Sequence, residues 1–376
     1  MKIGIELLAD EIGKSGCITF HRKLIYWLSK LAKDEIYYVF AYSREYDDYM
    51  QYNQNHDKLR LINLGRRKSL LIRILDQQFK IPRLLKTYGI TRVYSDNTVP
   101  FWTNDIKYFF EVLITQQFHP EYPDKYFRRL FRIITTKYAC RVAEIVIVNS
   151  NYTKSEVIKY CKIKENKIVL INEAADLEQF SSITDKISLK KYLLDKYGIS
   201  GDFILQVSGL YDHKNPIVSI RTLGLLKKKG CNLELVLAGI DTLNNWPRYQ
   251  EIAKELNIAE NVHYVGFLMP EEVNKFYNTA ICLLYPSYSE TFGIPPLEAM
   301  ACGTPVIGSD KSAVPEIISG GGIIVDTNDL ENIALIIIKL LNEPEFRQSI
   351  IKQGYLRLSE FSWEKTITLI KRNILI

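Results

Sequence analysis

The sequence lacks the features that mark secreted, membrane-spanning and zinc-binding proteins. The first ten residues, MKIGIELLAD, already carry Glu6 and Asp10, so they predict a first strand rather than a secretory signal. The longest apolar run, IALIIIKLL at 333–341, is less than half a membrane span, and we expect no transmembrane helix. No CxxC pair or zinc spacing occurs, which predicts reduced thiols in a cytosol. The six cysteines are Cys17, Cys140, Cys161, Cys231, Cys282 and Cys302.

Two common nucleotide-binding motifs are also absent. GKS at 13–15 is not a P-loop, because the motif needs glycine at position 8, where this chain has Leu8. No GxGxxG follows the first strand, which argues against nicotinamide and flavin enzymes. What remains is a strand, a glycine-bearing loop that ends at Gly16, and a helix from about Ile18. Glycine allows close approach to a ligand and a helix N-terminus favours anions, so the loop is either a ligand loop or an ordinary turn.

The chain has an excess of positive charge, and this charge is concentrated in one part of the sequence. The net charge is +6, yet residues 51–141 alone hold 17 Lys or Arg against 7 Asp or Glu. Within this basic region, KYFRRLFRIITTKY at 125–138 places apolar side chains at helical spacing among the cations. These apolar side chains are Phe127, Leu130, Phe131 and Ile134. The pattern predicts either an amphipathic helix resting on an anionic membrane surface or a core helix with a solvated basic face.

The chain of 376 residues is long enough for two domains of about 150 to 200 residues each. Short β-branched runs alternate with helical patterns throughout, which predicts an α/β fold of parallel sheets covered on both faces. The runs are KIGIELL, IYYVFAY, IKYFFEVLI and EIVIVNS, then FILQVSG, LELVLAG, VHYVGF, AICLLYPS, TPVIGS and GIIVD.

The domain boundary is expected near 178–200, a polar stretch that lacks a strand pattern. We expect a first domain over 1–180 and a second over 200–358, with a helix at about 360–376 packing back on the first. Each half can form a Rossmann-like sheet, and two such domains would face each other across a cleft. Ligands of such sheets bind at the carboxyl ends of the strands.

One such strand end leads to a lysine beside a predicted helix start. In FILQVSGLYDHKNP the strand ends at Val207, and Lys214 comes just before Asn215-Pro216. Proline is expected at a helix start, so Lys214 lies near the positive end of the helix dipole. A cation at this end is not stabilised by the dipole unless an anion lies nearby. A bound phosphate would remove that conflict, and a solvated lysine is the alternative.

A second strand end carries two glutamates eight positions apart. In YPSYSETFGIPPLEAMACGTPVIGS, at 285–309, Glu290 lies just past a predicted buried strand, where such sheets present ligand groups. PLEAMAC is a predicted short helix, with two prolines set for its first turn and Gly303 ending it. Glu298, expected in the first helical turn, either supports the helix dipole or accepts two adjacent hydroxyls, as acidic residues do with ribose.

These segments resemble the retaining glycosyltransferases of family 4. Glu290 and Glu298 form the E-x7-E pattern, and KN, VGF before MPEEVNKFYNTA, EAMACGTPVI, VPEI and FSWEK stand around it. The resemblance covers residues 140–370 closely and the first 140 loosely. It implies the GT-B fold, with two Rossmann-like doubly wound parallel-sheet domains facing a cleft.

The resemblance also implies a role for each site residue. Glu290 contacts the donor sugar near the reacting carbon, Glu298 holds the nucleotide ribose, and Lys214 binds the diphosphate. The backbone amides between the glutamates also bind the diphosphate, and the VGF segment borders the base. The implied donor-binding residues beside Glu298 are Gly16, Ser208, Gly209, Gly266, Phe267, Leu268, Thr291, Phe292, Gly293 and Ile294.

The chain departs from the family pattern at two places. Many relatives carry an arginine about five residues before the lysine, where this chain has Ser208-Gly209, so neutralisation of the phosphates rests more heavily on Lys214. Many also end a strand with a His-Asp pair where this chain has Gln116-Gln117, and His119 is nearby but out of register. Gln116, Gln117 and His119 are the candidates on the acceptor or sugar side, although a lone histidine is more often structural.

The sequence therefore predicts a cytoplasmic glycosyltransferase that moves a hexose from a UDP- or GDP-linked donor, with retention, to a glycan or lipid-linked acceptor in cell-envelope polysaccharide synthesis. No DxD-type acidic pair stands at a strand end, so we expect a cation and amides, rather than a metal, to stabilise the leaving diphosphate. We expect no further cofactor and no nucleic-acid partner. The basic region suggests peripheral binding at the inner membrane surface. The alternatives are a sugar-nucleotide epimerase of the same fold and a non-catalytic nucleotide-sugar-binding protein.

Overall fold

Each of two units in the computed structural model is built around its own parallel sheet. The structure describes residues 1–8, 16–66, 70–96, 98–101, 105–119 and 126–375. The first unit comprises Met1–Glu173 with Trp363–Ile376, and the second comprises Ala174–Ser362.

The first unit contains seven strands in its described residues. They are β1 Lys2–Glu6, β2 Ile36–Ala41, β3 Leu59–Asn63, β4 Arg92–Ser95, β5 Lys107–Val112, β6 Ile145–Val148 and β7 Ile168–Leu170. Their order in the sheet is β3-β2-β1-β4-β5-β6-β7, and all neighbours are parallel. The direction of winding reverses between β1 and β4, which is the topological switch point of this sheet.

Helices connect these strands and cover the sheet. They are α1 Gly16–Leu31, α2 Ser43–Met50, α3 Leu70–Leu75, α4 Ile81–Tyr88, α5 Tyr126–Val142 and α6 Asn151–Cys161. A π-helical segment, Asp76–Lys80, joins α3 to α4, and a 3-10 turn, Gln116–Phe118, follows β5. Aromatic and aliphatic side chains of the strands, such as Phe110 and Val146, are buried under these helices.

The second unit repeats this architecture with six strands in its sheet. They are β8 Phe203–Val207, β9 Glu234–Ala238, β10 Val262–Gly266, β11 Cys282–Tyr285, β12 Val306–Ser309 and β13 Ile323–Val325. The order is β10-β9-β8-β11-β12-β13, all parallel, so the switch point lies between β8 and β11. Both orders are those of a doubly wound Rossmann-like sheet.

Helices of the second unit surround a core that includes Leu235, Leu237 and Leu284. They are α7 Lys186–Tyr197, α8 Pro216–Lys228, α9 Trp246–Glu255, α10 Pro270–Thr279, α11 Ile294–Ala301, α12 Val314–Ile318, α13 Leu330–Asn342 and α14 Pro344–Leu358. The longest apolar run of the sequence lies in α13, which buries one face against the core through Ile333 and Ile337. Among the described helices, none combines the length and the hydropathy that crossing a bilayer requires.

The last helix, α15 Trp363–Leu375, belongs to the first unit. Its Trp363 ring lies 5.8 Å from that of Phe20 in α1, and the Thr366 hydroxyl donates to the Asn172 carbonyl at 2.6 Å. Near its other end, Lys371 forms an ion pair with Glu35 at 2.8 Å. The helix therefore completes the cover of the first sheet.

The α/β prediction is confirmed, and the ten predicted strand runs contain ten of the observed strands. Sequence reasoning missed β3, β4 and β7, whose sequences are LRLIN, RVYS and IVL. These strands are three to five residues long, and two of them carry an arginine. Their hydrophobic pattern is therefore too short to predict a strand.

Candidate active site

Lys214 and Glu290 meet at the switch point of the second sheet. Lys214 ends a 3-10 turn that follows β8, and Glu290 lies five residues past the end of β11. The Lys214 ammonium lies 2.6 Å from one carboxylate oxygen of Glu290 and 2.8 Å from the other. The sequence placed each residue at a strand end but did not predict that they form an ion pair.

Glu290 is buried, with 7% of its surface exposed, and its carboxylate is surrounded by donors. The Tyr285 hydroxyl donates to it at 2.7 Å, and the Glu290 amide donates to the Ser312 hydroxyl at 2.9 Å. Burial by itself raises the pKa of Glu290, but the charge of Lys214 and the side-chain hydrogen bonds of Lys214, Tyr285 and Ser287 outweigh burial and hold the pKa below its ordinary value. Glu290 is therefore a carboxylate at neutral pH.

A buried glutamine in β8 holds the loop that carries Lys214. The Gln206 amide donates to the Lys214 carbonyl at 2.9 Å and to the Ser208 hydroxyl at 3.1 Å. Its own oxygen accepts a hydrogen bond from Ser219 of α8 at 2.6 Å. Sequence reasoning missed this role, although a glutamine inside the apolar run FILQV is the signal that could have identified it.

The predicted donor-binding pair Ser208-Gly209 lies where β8 and β9 approach each other closely. The Ser208 amide donates to the Ala238 carbonyl at 2.9 Å. A Cβ atom at Gly239, whose φ is +151°, would lie 1.9 Å from the Ser208 oxygen, so only glycine fits there. At Gly209, a Cβ atom would lie 2.5 Å from the Tyr211 ring. Glycine is thus required at position 239 by the Ser208 backbone and at position 209 by the Tyr211 ring.

The turn into α11 is formed as the sequence predicts. Gly293 precedes the helix with φ +102°, the two prolines fall in the first turn, and Gly303 lies just past the end with φ +70°. No side chain in the described part of the chain caps this helix. The amides of Phe292, Gly293 and Ile294 therefore lie at an uncapped helix N-terminus, where orphan N–H groups favour an anion.

Glu298 requires a correction. The helix begins at Ile294, so Glu298 is its fifth residue and the first turn carries no acidic side chain. The interpretation of Glu298 as support for the helix dipole is therefore wrong, because the dipole acts mainly within the first turn. Glu298 instead accepts a hydrogen bond from the buried Tyr277 hydroxyl at 3.0 Å.

The surroundings of Glu298 raise its pKa to about 7. Burial is the largest cause, and it prevails over the hydrogen bond from Tyr277, while the negative charge of Asp176 adds to the increase. Glu290 and Glu298 therefore titrate in different pH ranges, and within the described part of the chain Glu290 is the one paired with a lysine.

The predicted base-side segment follows β10 at the far end of the same sheet edge. Gly266 has φ +73°, and its carbonyl accepts the Gly239 amide at 2.8 Å. Phe267 is 46% exposed and Leu268 is half-buried. Three strand spacings of about 4.8 Å separate β10 from β11, so the edge from Gly266 to Glu290 spans roughly 14 Å.

The remaining candidates lie in the first unit. Gln116 and Gln117 form the 3-10 turn after β5, where the buried Gln117 amide donates to the Ile114 carbonyl at 3.1 Å. His119 contacts the carboxylate of Glu156 in α6 through its Nε2 atom. Gly16 is the first residue of α1, and positions 13–15 of its predicted loop lie outside the described residues.

The switch point of the first sheet holds polar residues that sequence reasoning missed. Asp96 directly follows β4, and its carboxylate lies 2.5 Å from Nε2 of the buried His21, whose Nδ1 lies 2.7 Å from the Tyr49 hydroxyl. At the end of β1, burial raises the pKa of Glu6 to about 8. These side chains went unnoticed because β4 was not predicted. Across the described residues, no three His, Cys, Asp or Glu side chains form a cluster that could hold a metal ion.

The basic helix α5 packs one side on the core of the first unit and exposes much of its predicted apolar face. Its buried residues are Thr135, Thr136, Ala139 and Cys140, and Ile133 and Tyr138 are partly buried against the core. Its exposed apolar residues are Tyr126 at 73%, Phe127 at 83%, Leu130 at 41%, Ile134 at 53% and Val142 at 44%, while Phe131 is half-buried. The helix thus contributes to the core, but through residues other than most of the predicted apolar face. Position 125, where the helix was predicted to begin, lies outside the described residues.

A second apolar segment adjoins α5. Phe101, 42% exposed, packs its ring 4.6 Å from that of Tyr138 in α5. The Phe101 amide donates at 2.9 Å to Gln78, in the π-helical segment that also exposes Phe79. The exposed apolar surface is thus continuous from Phe79 through Phe101 to α5, and we call it the apolar-basic face.

Two family models match the chain, one in each half. The model of glycosyltransferase family 4 matches residues 25–179. The model of the glycosyl transferases group 1 matches residues 196–357, which include Lys214, Glu290 and Glu298. The chain belongs to the group 1, family 4 glycosyltransferases.

Relatives of this glycosyltransferase family resemble the chain over part of their length. The serotype-specific mannosyltransferase WbdA of Escherichia coli is 27% identical over 226 residues, 60% of this chain and 28% of the relative. The O-antigen chain mannosyltransferase B of Escherichia coli is 26% identical over 230 residues, 60% of this chain and 59% of the relative. The chain thus spans between about a quarter and three fifths of the length of these curated relatives.

A solved structure of a glycosyltransferase from Rickettsia africae ESF-5 has the same fold. Its TM-score is 0.76 at 19% identity, covering 100% of this chain and 98% of that one. The likeness shows the fold alone at this identity. The predicted fold class, with two Rossmann-like parallel-sheet domains of the GT-B type, is confirmed.

Proposed function

We propose that this chain transfers a hexose from a nucleoside-diphosphate sugar, with retention, to a glycan or lipid-linked acceptor in the synthesis of a cell-envelope polysaccharide. The observation that carries the proposal is the meeting of Lys214 and Glu290 at the switch point of the second sheet. An ammonium, a carboxylate and an uncapped helix N-terminus lie together where doubly wound sheets bind nucleotides.

The donor is proposed to lie along the edge of this sheet. Its base would border Gly266–Leu268 after β10, and its ribose hydroxyls would donate to Glu298. The loop at Ser208-Gly209 would pass beside the diphosphate. The mannosyltransferase names of the two Escherichia coli relatives make a GDP- or UDP-linked mannose the first donor to test.

In the proposed reaction the bond between the anomeric carbon and the diphosphate breaks as the acceptor oxygen bonds to the same face of the sugar. The acceptor proton passes to the departing phosphate oxygen. Lys214 and the amides of Phe292, Gly293 and Ile294 would stabilise the charge that develops on the diphosphate, and loss of one such donor typically costs about 100- to 1000-fold in rate. Glu290 would orient the sugar through its hydroxyls.

The first unit is proposed to bind the acceptor. Gln116, Gln117 and His119 remain candidates there, although the partners of Gln117 and His119 within the unit favour structural roles for these two. Gly16 remains a proposed donor-binding residue. The apolar-basic face supports an acceptor that lies at an anionic membrane surface, and hence a cytoplasmic enzyme that binds the bilayer peripherally.

Substitution of the two glutamates tests the proposal. Glu290→Gln should lower kcat by about 100-fold or more and leave the affinity for the free nucleoside diphosphate within about threefold. Glu298→Ala should weaken that affinity about tenfold or more, because a hydrogen bond to a charged group contributes about 1.5 to 3 kcal/mol. Calorimetry with the nucleotide and steady-state rates for each variant separate the two effects.

Product analysis separates the proposal from its alternatives. Release of nucleoside diphosphate from UDP- and GDP-hexoses is measured with and without a crude lipid acceptor. Transfer predicts release that depends on the acceptor. An epimerised donor without any acceptor requirement would identify an epimerase, and tight binding without turnover would identify a binding protein.

A further inference from the structure

Two of the described side-chain partners of Glu290, Lys214 and Tyr285, differ in their freedom to move. Lys214 reaches it on a flexible four-carbon stem, and its side chain is 18% exposed. Tyr285 donates its hydroxyl at 2.7 Å from a ring that is 2% exposed at the end of β11. The tyrosine is therefore the rigid partner and the lysine the mobile one.

Donor binding would divide the lysine between two anions. An ammonium has three donors, and Lys214 directs two of its contacts to Glu290. In the proposed function the same ammonium must also meet the diphosphate, which draws it away from the carboxylate. Tyr285 then remains as a buried side-chain donor to Glu290, whereas Ser287, the other nearby hydroxyl, donates to the His213 carbonyl at 2.9 Å.

We propose that Tyr285 is a positioning residue, whose hydroxyl sets the orientation of the Glu290 carboxylate toward the donor sugar while Lys214 turns to the diphosphate. This inference rests on the proposed function. It assigns a task to a tyrosine that the E-x7-E pattern does not include, and it explains how one lysine can serve as both ion-pair partner and phosphate ligand.

The backbone around Glu290 is built to keep this arrangement. A Cβ atom at Gly293 would lie 3.3 Å from both the Tyr285 hydroxyl and a carbon of its ring, so glycine leaves room for the ring. In the loop after β12, Ser312 holds a left-handed φ of +52°, uncommon for a residue other than glycine, and its hydroxyl accepts the Glu290 amide at 2.9 Å. The main chain of Glu290 is thus held from the loop after β12 and its side chain from β11.

The test compares two buried tyrosines that each donate to one of the two glutamates. Tyr285→Phe should lower kcat about 10- to 100-fold while the affinity for the free nucleoside diphosphate stays within about threefold, since a hydrogen bond to a charged group has this magnitude. Tyr277→Phe, which removes the donor of Glu298, should instead change the nucleotide affinity. Both variants lose one hydroxyl and keep a buried ring.

The pH profile supplies a readout that a purely structural role would not move. A hydrogen bond donated to a carboxylate lowers its pKa, so its loss in Tyr285→Phe should move the acidic limb of the kcat profile to higher pH. The other charged or titratable groups that act on this pair within the described residues are His213, Lys214, Tyr277 and Glu298, and all four are unchanged in the variant.

The outcomes are distinguishable. Wild-type kcat and an unmoved acidic limb in Tyr285→Phe would overturn the inference, as would a lower kcat that only follows a lower melting temperature. Full turnover in Glu290→Gln would instead overturn the proposed function. If Tyr285→Phe does not fold, 3,5-difluorotyrosine at position 285 keeps the ring and strengthens the donor, and it should move the acidic limb to lower pH.

Discussion

At the scale of single residues, the two glutamates of the candidate site have pKa values shifted in opposite directions. Lys214 holds the pKa of Glu290 below its ordinary value, whereas burial raises the pKa of Glu298 to about 7 against the hydrogen bond from the Tyr277 hydroxyl. A ribose diol donates to a carboxylate, so in the proposed function the nucleotide should bind the ionised form of Glu298. Nucleotide binding should therefore release a proton from the molecules in which Glu298 is protonated.

This difference predicts a pH-dependent nucleotide affinity. At pH 6 about one tenth of Glu298 is ionised in the free protein, so the affinity for the nucleoside diphosphate should be roughly tenfold lower at pH 6 than at pH 8. Calorimetry in buffers of different ionisation enthalpy measures both the affinity and the released proton. Glu298→Gln is the control, since its residual pH dependence reports the phosphate alone. The same dependence in wild type and Glu298→Gln would contradict the prediction.

At the scale of elements, the turn between β11 and α11 decides the geometry of the site. Gly293 adopts a left-handed conformation in this turn, and no described side chain caps the helix that follows. Glu290, three residues before Gly293, contacts Lys214. The local residues explain the turn, since glycine adopts positive φ readily and proline is favoured at a helix start.

A pair of glycine substitutions separates backbone strain from side-chain contact. Gly293 and Gly230 both have positive φ, +102° and +81°, but a Cβ atom at Gly230 would meet no atom within 4 Å. Gly230→Ala should therefore lose only the cost of the left-handed backbone, about 1 to 2 kcal/mol. Gly293→Ala should be less stable than Gly230→Ala in chemical denaturation and should also lose turnover, because its Cβ presses on Tyr285. Equal stability with unchanged turnover in both variants would disprove this role for Gly293.

At the scale of the whole molecule, charge and exposed apolar surface are concentrated in the first unit. Residues 51–141 carry 17 Lys or Arg against 7 Asp or Glu. The apolar-basic face lies within this part of the chain. Each Lys or Arg close to an anionic membrane contributes about 1 kcal/mol, and the attraction falls off within a Debye length of about 8 Å at physiological salt. Several cations acting together with exposed aromatic rings can hold the unit at a bilayer.

Vesicle binding tests this distribution with a matched pair of variants. The chain should co-sediment with anionic phosphatidylglycerol vesicles at low salt, less at high salt, and little with phosphatidylcholine alone. Phe127→Ser should weaken binding, whereas Ile187→Ser in α7 should not, although Ile187 is 85% exposed and Phe127 83%. Equal binding to neutral and anionic vesicles, no binding to either, or equal loss in both variants would argue against the membrane proposal.

The sequence by itself determined the class of fold and the positions of Lys214 and Glu290 at strand ends. Runs of β-branched residues specify strands locally, and in a parallel sheet every strand presents its carboxyl end to one edge. The family pattern around Glu290 and Glu298 added roles for individual residues. Short strands such as β4 were not predicted, because a few residues carry little periodic signal. Asp96, which follows β4, and its partner His21 were therefore not identified as site residues.

Only the tertiary structure decided which side chains meet. Lys214 and Glu290 are 76 residues apart, and they pair because β8 and β11 are neighbours across the switch point. No local pattern encodes that neighbourhood, since it arises from the packing of helices on both faces of the sheet. The same holds for Ser312, which reaches Glu290 from the loop after β12, and for the apolar face of α5. A helical repeat shows that such a face exists, but only the packed unit shows that the face points outward, because the opposite side of α5 fills the core.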